Sequence, residues 1–168
     1  MYSDLTNTNM SFSFLKNSSN FLNMVLDNMN SCVLLLDNKM ELRAFNEPMK
    51  TIFSNKKDED LIYRKCGEAI GCAYQIEEMK ECGKTSQCTD CDLRIAAMDS
   101  YLNNVVVYKE HLAKPFMDHN NEKVEKHLQF STRLFIHERE KYIMMMIEDI
   151  SQLINLKGKV KGSTYSEV

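Results

Sequence analysis

The sequence lacks the features that mark most catalytic and nucleic-acid-binding classes. Its five glycines, Gly67, Gly71, Gly83, Gly158 and Gly162, form no Gly-rich nucleotide loop. There is no phosphoacceptor box and no nucleophile–base constellation, so no enzymatic activity is expected. Basic excess is absent too. Lys and Arg number 21 against 24 Asp and Glu, for a net charge of −3 and a pI near 5.8. That balance gives no reason to expect direct nucleic-acid binding or attraction to an anionic membrane. No apolar run approaches membrane-spanning length. The opening MYSDLTNTNM puts Asp4 where a signal peptide would be basic, and MSFSFL is too short and polar for its apolar segment. No internal repeat is visible. The expected location is cytoplasmic.

What is present suits one domain with tails. The chain has 168 residues and an apolar fraction of 43%, enough for an ordinary core. It also has six cysteines. In a reducing compartment these point to metal or redox chemistry rather than to disulfides.

Four of them cluster. Cys72, Cys82, Cys88 and Cys91 lie in GCAYQIEEMKECGKTSQCTDC with the spacing C-x9-C-x5-C-x2-C. A C-x2-C pair turns two sulfurs toward one point, and Thr89 and Asp90 between them are tolerated in a turn. Two further thiolates complete a tetrahedron around Zn²⁺ or supply one ligand per iron of a [4Fe–4S] cluster. Structural zinc commonly shows two close pairs, and only one exists here, which favours the iron–sulfur cluster with zinc as the alternative. A third reading leaves the thiols unligated, as small core hydrophobes. Gly71 and Gly83 flank Cys72 and Cys82 and permit close backbone approach. Lys80, Lys84 and Arg94 are near in sequence and are predicted to favour thiolate over thiol. Cys66 is a bystander or a substitute for Cys72, and Cys32 is predicted to be core. Met144, Met145 and Met146 read as packing, and His127 and His137 as a solvated or dimer surface.

Along the chain, residues 1–18 are rich in Ser, Asn and Thr and read as a mobile arm. A helix is predicted from about Phe21 to Met29, with Phe21, Leu22, Val25, Leu26 and Met29 on one face. That face is expected to cover a sheet or to pair with a second copy, making a homodimer. Ser31–Asp37 and Glu41–Phe45 read as a β-hairpin, and Asn46 as the cap of a short helix containing Pro48. SNKKDED is a solvated charge run. Residues 61–92 show no period and read as an irregular loop, longer than a compact domain tolerates unless something organises it. A helix follows from Asp92 and ends at Asn103-Asn104. Val105–His111 is strand-like, and Pro115 with DHNNEK marks a turn. Val124–Ile136 alternates with period two, HERE makes a turn, and Tyr142–Ile147 is apolar on both faces, as in a central strand. Ile150–Val160 reads as a closing helix, weakened by Gly158, before a tail.

This order of elements resembles the PAS sensor domain. The opening FLNMVLDNMNSCVLLLDNKMELRAFNEPM and the exit IEDIS at Ile147–Ser151 carry the likeness over roughly residues 18 to 157. The strings CGEAIGC and ECGKTSQCTDCDLRIAA resemble the cysteine-bearing variant of PAS domains in bacterial and archaeal signalling proteins. In it, Cys72, Cys82, Cys88 and Cys91 match the cysteine positions and Cys66 has no counterpart. The flavin-binding element is not matched by Cys66-Gly67, and the helix that bears a His in haem-binding PAS domains is here LRIAAMDSYL, without one. The resemblance implies an α+β fold with a five-stranded antiparallel sheet, helices packed on one face and a cysteine-rich loop. Its boundaries are an arm at 1–18, the domain at 19–157 and a tail or linker at 158–168. It implies a sensor responding to oxygen or redox state, with an output domain or a signalling partner protein. The alternatives are a zinc-stapled interaction module or a domain that binds a small ligand.

Overall fold

The computed structural model describes residue 12, residues 20–53 and residues 60–163, with side chains as far as 159. The predicted arm, apart from Phe12, most of the SNKKDED run and the last five residues lie outside them.

Five antiparallel strands form one sheet in the order β2-β1-β5-β4-β3. They are β1 (Cys32–Leu36), β2 (Leu42–Phe45), β3 (Val107–Met117), β4 (Lys123–His137) and β5 (Glu140–Asp149). The helices are α1 (Asn20–Asp27), α2 (Pro48–Ile52), α3 (Cys66–Ile70), α4 (Ala73–Glu78), α5 (Asp92–Asn103) and α6 (Ser151–Ser163). Strand β5 is central, as its two apolar faces require. Ile143, Met145 and Ile147 point into the main core, while Tyr142, Met144 and Met146 point to the opposite face. The methionine triplet is thus split between two layers of packing.

The main core lies between the sheet and α2, α3 and α5. Leu34, Leu36, Leu42, Met49, Ile70, Leu128 and Phe130 are all essentially inaccessible there. The other sheet face is covered over β1 and β5. Val33, Leu35, Ala44 and Tyr142 are buried there with Phe12, and Leu26 of α1 packs against them. Cys32 is a core residue at 0% exposure, as expected. Of the apolar face predicted for the first helix, Leu26 packs inward, while Phe21, Leu22 and Val25 remain exposed.

The strands β4 and β5 pair from Leu128–Asp149 to His137–Glu140. Glu138 and Arg139 turn between them at φ 48° and 70°, the double left-handed geometry that fits a tight hairpin to strand twist.

Three local expectations are corrected. Asn46 does not cap α2. Its side chain is buried and accepts from the Val33 N–H (2.7 Å) while donating to the carbonyls of Leu26 (2.7 Å) and Ser31 (2.9 Å). Pro115 is no turn residue, because β3 runs through it opposite Glu125. That is tolerated because β3 is an edge strand, paired with another strand only on its β4 side. Residues 61–92 are not irregular: they contain α3, α4 and a 3₁₀ turn at Cys88–Asp90. These elements are too short for a helical period to show in the sequence. The closing helix predicted over Ile150–Val160 is present as α6, which runs through Gly158 to Ser163.

Candidate metal centre

The segment from Leu61 to Cys91 is stapled to the sheet at both edges. On the β2 side, the Leu42 N–H donates to the Arg64 carbonyl (2.7 Å) and the Cys66 N–H to the Met40 carbonyl (2.8 Å). On the β3 side, the Met117 N–H donates to the Gly71 carbonyl (2.9 Å), and Cys72 bridges to Phe116. The chain between these points folds in sharp reversals. Gly71 ends α3 at φ 74° and Gly83 turns the following loop at φ 100°, both left-handed positions that glycine occupies without strain.

The reversals return the thiols to one place. Cys66, Cys72, Cys82, Cys88 and Cys91 all line a single cavity under α3, α4 and the start of α5, walled on its apolar side by Ile70 and Leu93. All six cysteines of the chain are free thiols. Cys66 opens α3, Cys72 directly precedes α4, Cys88 opens the 3₁₀ turn and Cys91 is the N-cap of α5. Cys91 thus stands at the start of the twelve-residue α5, where the first backbone N–H groups lack intrahelical partners.

Individual sulfurs are held by donors. The Gly67 N–H points at Cys82 Sγ (3.3 Å), and the Gly83 N–H at Cys88 Sγ (3.1 Å). The Thr85 hydroxyl lies 2.9 Å from the same Cys88 sulfur. Burial works to raise the Cys88 thiol, but the Thr85 hydroxyl and backbone, the Gly83 N–H and the Arg94 guanidinium outweigh it and hold the thiol below its usual range. Cys82 goes the other way, pushed up by burial against the opposing Gly67 N–H. Burial pushes Cys66 well up as well, reinforced by Cys82 and Cys91.

The predicted cations divide. Lys80 and Lys84 are exposed and paired with Glu78 (3.4 Å) and Glu81 (2.7 Å). Arg94 does reach the loop, with its guanidinium against Gly83. The lysine on the cavity wall is one that sequence proximity does not suggest. Lys114 of β3 is buried, with its ammonium 3.9 Å from Cys91 Sγ and 5.1 Å from the centre of the Tyr74 ring. None of the four histidines lines the cavity. His127 instead meets His111 across the exposed sheet face, Nδ1 to Nε2, at 2.8 Å.

Among the described residues, no three His, Cys, Asp or Glu side chains stand close enough to hold one metal ion. The thiols instead ring a cavity. The donor set is nonetheless the one that a thiolate-bound metal group requires: soft sulfur ligands, N–H donors to the sulfurs and an apolar wall. Gly67 adds a close approach that its residue type makes possible, since a Cβ there would stand 2.8 Å from Cys82 Sγ.

No family model and no curated protein sequence matches the chain. Solved structures do. The PAS domain of nitrogen regulation protein NR(II) from Vibrio parahaemolyticus aligns at 11% identity over 76% of this chain and 95% of its own, with a TM-score of 0.52. The chain has the PAS fold. A PAS domain from Colwellia psychrerythraea matches at 8% identity over 77% of this chain and 93% of its own, with a TM-score of 0.52. The PAS domain of Bordetella pertussis BvgS matches at 11% identity over 85% of this chain and 96% of its own, with a TM-score of 0.51. At such identities the likeness is one of PAS architecture alone. Among the described residues no helix of this PAS fold is long and apolar enough to cross a membrane.

Proposed function

We propose that this chain is a signal-sensing PAS domain whose Cys72, Cys82, Cys88 and Cys91 hold a [4Fe–4S] cluster, making the domain responsive to oxygen or redox state. The observation that carries this reading is the return of thiols from three separate stretches of chain to one cavity, with backbone N–H groups aimed at two of the sulfurs. A bound cluster would supply one-electron redox chemistry and reactivity toward oxygen.

The chain's own residues do the rest. Cys88 and Cys91 present two sulfurs from one turn, and the Gly67 and Gly83 N–H groups stabilise negative charge on Cys82 and Cys88. Ile70 and Leu93 keep water from the inner wall. Cys91 joins the centre to α5, so a change in the loop is felt at that helix. The Ser100 hydroxyl meets Thr132 Oγ1 at 2.7 Å, and the Thr132 hydroxyl donates to the Ala96 carbonyl (3.0 Å), tying α5 to β4. In turn β4 holds the root of α6: the His127 N–H donates to the Ser151 hydroxyl (2.9 Å), and the Ile150 N–H to the His127 carbonyl (2.8 Å). These contacts form a route from the cysteines to the last helix. The element with two arrangements that signalling needs is, in this reading, the segment from Cys72 to Cys91. The output is an attached domain or a partner protein reached through α6, not catalysis by this chain. Exposed Phe21, Leu22, Met24 and Val25 on α1 offer a homodimer contact.

Protein purified without oxygen tests this. The expected result is iron and acid-labile sulfide in equal amounts, both lost in the double variant Cys88→Ser, Cys91→Ser. Zinc alone would replace this reading with a zinc-stapled interaction module. Neither metal would leave a PAS domain that binds a small ligand.

A further inference from the structure

Lys114 stands out in the wall of the cysteine cavity. It lies on β3, pairing with Lys126 across the sheet, while Phe116 two residues on enters the core. Its exposure is only 8%. A buried ammonium is costly unless an anion compensates it. Among the described residues no carboxylate pairs with it. Its partners are Cys91 Sγ at 3.9 Å, the face of the Tyr74 ring, and Cys72. A neutral set of thiols gives a buried lysine nothing to pair with. A thiolate-bound metal group, carrying net negative charge at its sulfurs, does.

We propose that Lys114 is the counter-cation of the cysteine centre, placed to raise the redox potential of the group bound there and to tighten its retention. This rests on the iron–sulfur reading above and deepens it. An ammonium fixed beside the sulfurs favours the more negative, reduced state over the oxidised one. Its burial keeps solvent and salt from screening the effect. Lys80 and Lys84 cannot substitute, because each is exposed and paired with a glutamate of its own.

The role has a signature that packing lacks. Lys114→Met keeps the aliphatic stem and removes the charge. In the loaded protein it removes attraction, but in the metal-free protein, where the thiols take up protons, it removes an uncompensated buried charge. The two forms therefore respond in opposite directions.

The experiment uses Lys114→Met and Lys114→Arg in protein prepared without oxygen. In the loaded form, Lys114→Met is expected to shift the reduced-to-oxidised ratio at fixed potential at least tenfold toward oxidised, a fall of about 59 mV for a one-electron couple. Lys114→Arg should stay near the unsubstituted protein. In the metal-free, reduced form, Lys114→Met should unfold at the same temperature or higher. An unchanged potential, or a metal-free form destabilised in parallel with the loaded one, overturns the proposal. If the unsubstituted protein holds zinc without sulfide, the iron–sulfur reading fails on its own. Chelator competition then decides the counter-cation claim, with tenfold weaker zinc retention in Lys114→Met supporting it and equal retention overturning it.

Discussion

Replacing Gly67 with alanine sets two known effects against each other. Gly67 sits in α3 with no left-handed φ, so alanine can adopt its backbone. Helix propensity alone would favour alanine by up to about 1 kcal/mol. The added Cβ, however, would lie 2.8 Å from Cys82 Sγ, 3.1 Å from Cys82 Cβ and 3.5 Å from Cys72 Cβ. Comfortable separations are about 3.5–4.0 Å, so Cys82 must retreat by about 1 Å. Overpacking of this kind costs about 1–3 kcal/mol. The sterics outweigh it, leaving a net loss of up to about 2 kcal/mol once the propensity gain is subtracted. The metal site suffers more than the fold. Ligand distances tolerate only about 0.2 Å of error, and the retreat also draws Cys82 away from the Gly67 N–H.

Gly158→Ala is the control, because a Cβ at that position meets nothing within 4 Å and the site lies within α6. It carries only the propensity term and should raise the melting temperature, by about 2–4 °C for a chain of this size if the full 1 kcal/mol is realised. The assays are thermal unfolding of the metal-free, reduced protein and metal content per chain after loading. Gly67→Ala should melt lower than the parent and load poorly, while Gly158→Ala should melt higher and load normally. A Gly67→Ala protein that matches Gly158→Ala in both assays would refute the claim that Gly67 exists for the close approach of Cys82.

Two further outcomes follow from buried and capping polar groups. Asn46→Ala strands the Val33 N–H and two carbonyls at the junction of α1, β1 and α2, and should cost about 2–4 kcal/mol; a denaturation midpoint equal to the parent's would count against this junction. Asp149 is held below the usual carboxylate range: burial opposes this, but the Ser151 hydroxyl and N–H and then Lys126 outweigh it. Its folded value is depressed, so the stability it contributes is present above the unfolded value of 3.8 and is lost as pH falls through the lower folded value. Asp149→Asn should therefore lower stability at neutral pH and flatten its acid dependence below about pH 4, and acid unfolding curves that superimpose would refute the assignment.

The parts of the fold that could be read from the sequence are those whose residues report their own surroundings. Val124–Ile136 alternates because Leu128 and Phe130 on one face of β4 enter the main core while Gln129 and Ser131 between and beside them do not, although Val124 and Ile136 at its ends are exposed. Tyr142–Ile147 does not alternate, because β5 is covered on both sides by the main core and by the smaller cluster around Val33 and Leu35. Both patterns are local and survive in a single sequence. Pro115 misled because its meaning depends on topology. A proline ends a central strand but sits freely on an edge, and nothing near residue 115 says that β3 is the edge. Asn46 misled for a similar reason. An asparagine before a helix looks like a cap, yet its hydrogen bonds go to α1 and β1, which are distant neighbours brought close only by the fold.

The cysteine site divides along the same line. Spacing marked Cys72, Cys82, Cys88 and Cys91 as a set, with Gly71 and Gly83 beside them as points of close backbone approach. It left Cys66 as a bystander or a substitute for Cys72; what brings Cys66 to the cavity is its N–H bond to the Met40 carbonyl, a contact with the first hairpin. Lys114 was further from reach. Sequence proximity selected Lys80 and Lys84, and proximity is a poor guide where the chain reverses between short helices and neighbouring side chains can face opposite ways. Those lysines spend their charge on Glu78 and Glu81 at the surface. The lysine on the cavity wall comes from a strand more than twenty residues beyond Cys91, delivered by the Gly71–Met117 and Cys72–Phe116 contacts that dock the cysteine segment on β3. The ligands of such a centre are thus encoded locally, as spacing. Its electrostatic surroundings are encoded in tertiary contacts, and those surroundings decide how the ligands behave.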